Sequence, residues 1–384
     1  MLSLIACQNR SSFRRRPESS ASDSEHIRLT VFVGVLLTVF FWGCGNVAWA
    51  VDAVPAAGYF PVLPFDASGD TVPQVVPVAA NNAIEGVHAG VTRAIIIIHD
   101  ETRDANRAVA SLAALAGTSN ASTLILAPQF LLPSDIARFA NQLPDKGRAF
   151  AAWQMAGWPQ GDDSAAASPH KGVSSFTVVD MLLMYLTDRK AFPDLQIITV
   201  AGYGAGANFV QRYAVFSLAA DVVTEQDIDL RYLVADASSY LYLTANRPLG
   251  GRKGLGVPDI AACPAYNAYP YGFDKFNAYA RRGGGNAAKV NYARRVVAYL
   301  NAPAADVFSD DVCAAGVQGK DNIARTANYK LYLQSLYGED AAYTHLFLTA
   351  KDAKNDAAGL FGSVCGMAVL FGGGSCPSLS GEAR

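Results

Sequence analysis

Residues 195–220 read LQIITVAGYGAGANFVQRYAVFSLAA, and the reading of this stretch decides the fold. Gln196 to Ala201 is a short, apolar, β-branched run, the pattern of a strand buried on both faces. Gly202, Gly204 and Gly206 then stand on alternate positions, and Phe209, Val210, Tyr213, Ala214 and Phe216 recur at helical spacing. Strand, glycine turn and helix make the frame in which a G-x-S-x-G motif lifts a serine above a sheet. The middle position here is Gly204. The frame is present and the serine is absent.

Working outward, Arg93 to Asp100 (RAIIIIHD) predicts the most strongly marked strand, too short for a buried helix. A helix is expected over about Asn106 to Leu115, stopped by Gly117, then a strand over Ser122 to Leu126. Residues 131–173 read mostly as loop, and Ser174-Ser175 caps a helix over Phe176 to Leu186. Beyond the central stretch come a strand over Leu230 to Ala235 and a Tyr-, Asn- and Gly-rich excursion over about 237–288. Val290 to Leu300 reads as running into a strand, Ile323 to Leu336 as a helix, Thr344 to Ala350 as the last strand, and Asp356 to Leu370 as one closing helix. Strands alternating with helices imply parallel βαβ units with right-handed crossovers, whose ligand sites lie at the carboxyl ends of the strands. Upstream, residues 51–92 read as a Pro- and Ala-rich linker with one or two edge strands, since Pro73 and Pro77 argue against a central strand.

The chain has 384 residues, 51% of them hydrophobic and 17% charged, which is ample for a core and argues against bulk disorder. A net charge of −2 without a dense basic run gives no support for nucleic-acid binding. Five arginines up to Arg28 precede the uncharged run Leu29 to Ala50, which ends in Ala48-Trp49-Ala50, a small-x-small cleavage site. Residues 1–50 are therefore expected to be a signal peptide cut after Ala50, with an uncleaved membrane anchor as the alternative. Cleavage removes five basic and three acidic residues and leaves 26 against 30, a net charge of −4. It also leaves Cys263, Cys313, Cys365 and Cys376, an even number that in an exported chain suggests two disulfides with three possible connectivities. Cys263 with Cys313 and Cys365 with Cys376 is the expected pairing, because Gly372-Gly373-Gly374 makes the short loop pliable and the first bridge would tether the excursion. No zinc-ligand spacing is present, and neither a metal nor a cofactor is expected.

Over Arg93 to Cys376 the chain resembles secreted α/β-hydrolase-fold proteins of the serine esterase and lipase type, a mostly parallel sheet flanked by helices. The resemblance is carried by IIHDETRDA, LAPQF, AGYGAGANFVQRYA, CPAYNAYPYG and DAAGLFGSVCGMAVLFG. It implies a hydrolase domain over 93–378 with a lid-like excursion, a serine nucleophile, a histidine base, an acid, and an oxyanion hole of backbone N–H groups. In that group the elbow reads like AGHSAGGQFVQRYA and the last loop like GHDAAGLFGS. Carried over position by position, the serine falls on Gly204 and the histidine on Asn355, which cannot shuttle a proton near neutral pH. The oxyanion region falls on His99, Asp100 and Ala205, where the usual His-Gly has become His99-Asp100 and a carboxylate opposes the developing charge. The best-placed acid is Asp306 in LNAPAADV, only a loose match.

The resemblance therefore implies an exported pseudoenzyme with a binding or structural role toward a small molecule or protein, touching a membrane only through an uncleaved N-terminus. An active hydrolase with unconventional residues is the first alternative. Dinucleotide binding is a weaker one: Gly202-x-Gly204-x-x-Ala207 fits G-x-G-x-x-G/A, but Asp236 lies too far along. Gly204 otherwise reads as a plain turn, His99 as a loop anchor, His345 as structural, and Ser238-Ser239 as a capping turn. The aromatic excursion suits a substrate lid or a structural cover.

Overall fold

The computed structural model describes residues 54–64, 71–166, 170–249, 254–303, 312–351, 353–372 and 376. Ten strands occur in them: β1 (Gly58–Val62), β2 (Gln74–Ala80), β3 (Arg93–Ile98), β4 (Thr123–Pro128), β5 (Ile197–Tyr203), β6 (Asp229–Ala235), β7 (Arg247–Pro248), β8 (Leu255–Gly256), β9 (Val296–Asn301) and β10 (His345–Thr349). Eight form one sheet in the order β1-β2-β4-β3-β5-β6-β9-β10, while β7 and β8 make a separate two-residue ribbon. All pairings from β4 to β10 are parallel, and β2 runs antiparallel to both β1 and β4.

The four isoleucines of β3 show how the sheet is held. Ile96 and Ile98 join the core on one face, with Phe176, Phe209 and Tyr213. Ile95 and Ile97 join the core on the other, with Val109, Leu112, Leu360 and Leu370. A strand covered on both faces needs apolar residues at every position, which is why the run is continuous. Burying each isoleucine contributes about 1.5–3 kcal/mol.

Several expectations are corrected. β2 is not an edge strand, for it lies between β1 and β4. Pro77 is tolerated because its carbonyl accepts from Gln129 N–H at 2.8 Å, so its missing N–H faces the side where β4 has already ended. Residues 131–173 contain a helix, Pro133–Phe139, and several 3₁₀ turns. The stretch from Val290 is helical as far as Arg294 before β9 begins at Val296. The closing segment is two helices, Ala357–Gly362 and Val364–Phe371, broken at Ser363, whose hydroxyl caps the second by accepting from Gly366 N–H at 3.0 Å.

The excursion packs as a structural cover. Tyr240 stacks on Tyr329 at 4.5 Å, and Tyr242 lies 4.5 Å from Tyr332. Tyr269, Phe273 and Phe276 surround Phe216, the last residue of the helix that follows β5. That helix rises about 1.5 Å per residue, so these rings sit about 18 Å along it from Gly204. Disulfides join Cys263 to Cys313 and Cys365 to Cys376. Among the described residues no helix is long and apolar enough to cross a membrane; Leu29 to Ala50 lies outside them, as does the proposed cleavage after Ala50.

Candidate active site

β5 runs between β3 and β6, and at its carboxyl end Gly204 turns the chain into the helix Ala205–Phe216. Gly204 adopts φ 57° and ψ −119°, backbone that costs a residue with a side chain about 1–3 kcal/mol and glycine little. Its N–H donates to Ala235 O at 3.2 Å, and its carbonyl accepts from Asn208 N–H at 3.0 Å. The flanking glycines are required by packing. A Cβ on Gly202 would stand 2.3 Å from Gly206 O, and one on Gly206 2.3 Å from Ile98 O. The helix thus lies directly on β5 and β3, which accounts for the alternate glycines without a dinucleotide.

A residue not singled out from the sequence stands over the elbow. A Cβ built on Gly204 would lie 3.1 and 3.2 Å from the two carboxylate oxygens of Glu101. The space where a nucleophile's side chain would project is filled by that carboxylate. Glu101 occupies the second position of a turn closed by Arg103 N–H to Asp100 O at 3.1 Å. The turn is tied down on both sides. Asp100 Oδ1 accepts from Thr102 N–H at 2.9 Å and from the Thr102 hydroxyl, and Arg103 forms a buried bidentate pair with Asp135 at 3.0 and 3.2 Å. The one sequence signal was a second consecutive acid, Asp100-Glu101, one residue past the end of β3.

Glu101 and Gly204 line a cavity of about 260 Å³ together with Asp100, Asp236, Ser238 and Asn322. Asp236 follows β6 with φ 56°, and its Oδ1 accepts from Asn301 Nδ2 at 3.0 Å and from Asn322 Nδ2. Asn208 binds the next turn, donating to Ser238 Oγ at 2.8 Å and accepting from Ser238 N–H at 3.1 Å. Ser238-Ser239 is therefore a tethered turn, but no helix follows it among the described residues, so the capping role read from the sequence is corrected.

The loop carrying Asn355 comes to the elbow through Tyr203, whose hydroxyl donates to Asn355 O at 3.4 Å. Beyond Tyr203 lies a second cavity of about 300 Å³, between the helices Ala105–Ala116 and Ala357–Gly362, with Asp100 and Tyr203 in both walls. Ala205 opens the elbow helix. Asp306 lies among residues 304–311, outside the described residues.

His99 is turned away into the core, 4.7 Å from the Trp158 ring. Phe130 N–H donates to its Nε2 at 3.0 Å, and its Nδ1 lies 2.9 Å from Asp100 O. Those partners fit one neutral tautomer, protonated at Nδ1, whose only lone pair is already engaged. Burial lowers its pKa to about 4. His345 sits at the opposite end of the sheet from the elbow, between Tyr299 OH at 3.2 Å and Tyr292 O at 3.1 Å, and burial lowers its pKa to about 4 as well. His88 stacks on Phe192, and His170 bonds Val72 O. Among the described residues no group of three or more His, Cys, Asp or Glu is arranged to hold a metal ion.

No protein-family profile and no curated protein matches the sequence. Solved structures do match. LpqC, a poly(3-hydroxybutyrate) depolymerase from Bordetella parapertussis, is 15% identical with a TM-score of 0.50, covering 85% of this chain and 92% of that one. Poly(aspartic acid) hydrolase-1 from Sphingomonas sp. KT-1 is 19% identical with a TM-score of 0.47, covering 80% and 96%. At such identities the likeness is one of fold. Together with the strand order it makes this an α/β-hydrolase fold, a mostly parallel sheet flanked by helices.

Proposed function

We propose that this chain is an exported α/β-hydrolase-fold protein that has given up ester hydrolysis and serves as a binding protein. One observation carries the reading: at the elbow stands Gly204, and the space of the absent side chain holds the Glu101 carboxylate. A negative group there would repel the tetrahedral oxyanion that acyl transfer must form. The resemblance puts Asn355 where the base would stand, an amide that takes no proton near neutral pH, and the lone pair of the nearby His99 is already engaged. The cavities of about 260 and 300 Å³ on either side of Tyr203 are the places for a small ligand or an inserted side chain.

The test is labelling of the purified protein with a fluorophosphonate probe, beside turnover of a short acyl ester. Neither should exceed the buffer background. Turnover by wild type that survives Asn355→Ala and His99→Ala would overturn the non-hydrolytic reading and point to unconventional residues. Export rests on the leader and on two disulfides, which persist in oxidising compartments. Intact mass from the native host should correspond to a chain beginning at Val51; a mass retaining Leu29 to Ala50 would establish the anchored form.

A further inference from the structure

The helices Ala105–Ala116 and Ala357–Gly362 cover the same face of the sheet, yet a gap of about 300 Å³ lies between them at the carboxyl end of β3. Close packing would fill it. It stays open because both helices present small residues to it, Ala108 and Ser111 from one, Ala357 and Ala358 from the other. Its floor is apolar, with Ile97, Leu115 and Phe361. A cavity of about 150 Å³ lined by such side chains takes up benzene, so this one has room for a ring and a polar head.

The charged groups in the wall are Asp100, Asp104 and Asp356 against a single Arg107. Arg107 is fastened to one side, its Nη2 lying 3.5 Å from Asp100 Oδ2 and donating to Thr102 Oγ1 at 3.1 Å. Asp104 and Asp356 are fixed as helix caps, their Oδ1 atoms accepting from Arg107 N–H at 2.9 Å and from Gly359 N–H at 2.6 Å. Neither Oδ2 atom accepts a hydrogen bond among the described residues. Arg107 and the two helix ends offset about two of the three negative charges, so about one remains. The other titratable groups in the wall are occupied, His99 by Phe130 N–H and Tyr203 by Asn355 O. An anion would meet the acidic excess, and a neutral ring would leave the carboxylates to water. The complement of this cavity is an apolar body that carries one positive charge.

We infer that the cavity between these two helices is a site for a small organic monocation, an ammonium group on an apolar body about the size of one ring. The inference rests on the reading of this chain as a binding protein and names its ligand class. The apolar body lies against Leu115 and Phe361, and the ammonium faces the carboxylates of Asp104 and Asp356. Both carboxylates are already held as caps, so little side-chain freedom is lost when the ligand arrives.

The experiment titrates the folded protein, at pH 7 and low ionic strength, with three probes of similar shape: benzylammonium, benzyl alcohol and benzoate. Dissociation constants are read by ligand-observed NMR. Benzylammonium should bind about tenfold more tightly than benzyl alcohol, since each ammonium–carboxylate pair at a partly exposed rim accounts for a factor of up to about five. Benzoate should bind more weakly than either, and added salt should shrink the preference. Asp104→Asn with Asp356→Asn keeps both caps, because asparagine caps as well as aspartate. That variant should bring benzylammonium down to the level of benzyl alcohol and leave the alcohol unchanged, and either single substitution should give part of the loss. Ser111→Phe, at an exposed position of the wall, should fill the space and abolish binding of both probes. Should it not fold, Ala358→Phe fills the space from the opposite wall. Benzoate binding as tightly as benzylammonium overturns the inference. So does an ammonium preference that survives the double asparagine variant, or binding that survives the phenylalanine. Fluorophosphonate labelling of wild type decides the non-hydrolytic reading separately, so the two failures are distinguishable.

Discussion

Returning a serine to the elbow by Gly204→Ser should destabilise the protein, and the cost can be worked out from the site. Two effects add. A side chain at φ 57°, ψ −119° carries backbone strain of about 1–3 kcal/mol that glycine avoids. The new Cβ would also stand 3.1 and 3.2 Å from the Glu101 oxygens. Glu101 is exposed and flexible, so it should swing aside and not clash, which forfeits a favourable anion at the helix end worth about 0.3–1 kcal/mol. The expected loss is about 1.5–4 kcal/mol, measured by urea unfolding with the buried Trp153 and Trp158 as fluorescence probes. In a Glu101→Ala background the displacement has already been made, and the same substitution should cost less by about 0.3–1 kcal/mol. A Gly204→Ser protein within about 0.5 kcal/mol of wild type would refute the argument, because that is the range of an indifferent surface change.

Activity should return only in steps: Gly204→Ser alone should give no measurable esterase, since a hydroxyl without a base is a weak nucleophile. Adding Asn355→His, Asp100→Gly and Glu101→Gly makes the variant best placed to turn over a short acyl ester, read as release of nitrophenol from its acetate. Stability should fall with acidification below neutrality, because His99 and His345 are held neutral at a pKa of about 4 while the unfolded chain takes up protons near the ordinary histidine value of 6.5. Each contributes up to about 3 kcal/mol that is lost as pH drops from 6.5 through 4, and His99→Gln should flatten that part of a urea–pH profile. Asp180 works in the opposite direction: burial raises its pKa above the ordinary value of 3.8, against the bonds it accepts from Tyr213 OH at 2.7 Å and Tyr279 OH at 2.5 Å. Its contribution is present below 3.8 and is lost as pH rises through the raised value, so Asp180→Asn should compare better with wild type at pH 7 than at pH 3. Of the disulfides, Cys263–Cys313 closes the longer loop, 50 residues against 11, and its removal should cost about 4 kcal/mol against about 3 for Cys365–Cys376. Non-reducing peptide mapping and urea unfolding of the Cys→Ala pairs check both values.

What the sequence revealed and what it hid divide along a physical line. The Ile95–Ile98 run and the glycines at 202 and 206 were legible because burial on two faces and backbone contact each impose a local pattern. The helix over Gly285–Arg294 was not, because Val290 faces solvent at 63% exposure and blurs the apolar stripe on which Ala288 and Tyr292 lie. The excursion could not be assigned as lid or cover from composition, since buried tyrosines that hydrogen-bond through their hydroxyls look alike in either role. Its packing on Phe216 is a contact across 53 to 60 positions of chain, with no local signature. Glu101 was hidden most completely. Its role is set by proximity to Gly204, a residue remote in sequence, and an exposed acid after a strand is ordinary on its own.

The elbow also shows why glycine suits position 204. In a hydrolase the strained turn at the nucleophile is maintained because the reaction uses it, and the rest of the fold offsets the strain. Here Gly202 and Gly206 are demanded by the contact of the helix with β5 and β3 whether or not anything is hydrolysed, so the turn cannot relax. The strain can be relieved only at position 204, where glycine removes it without moving the helix. Glycine at this position is thus more stable than serine would be. It also leaves room for the Glu101 carboxylate, whose oxygens stand 3.1 and 3.2 Å from where a Cβ would be. Gly204 and Glu101 therefore act as one steric feature of the elbow, since a side chain at 204 must move the carboxylate.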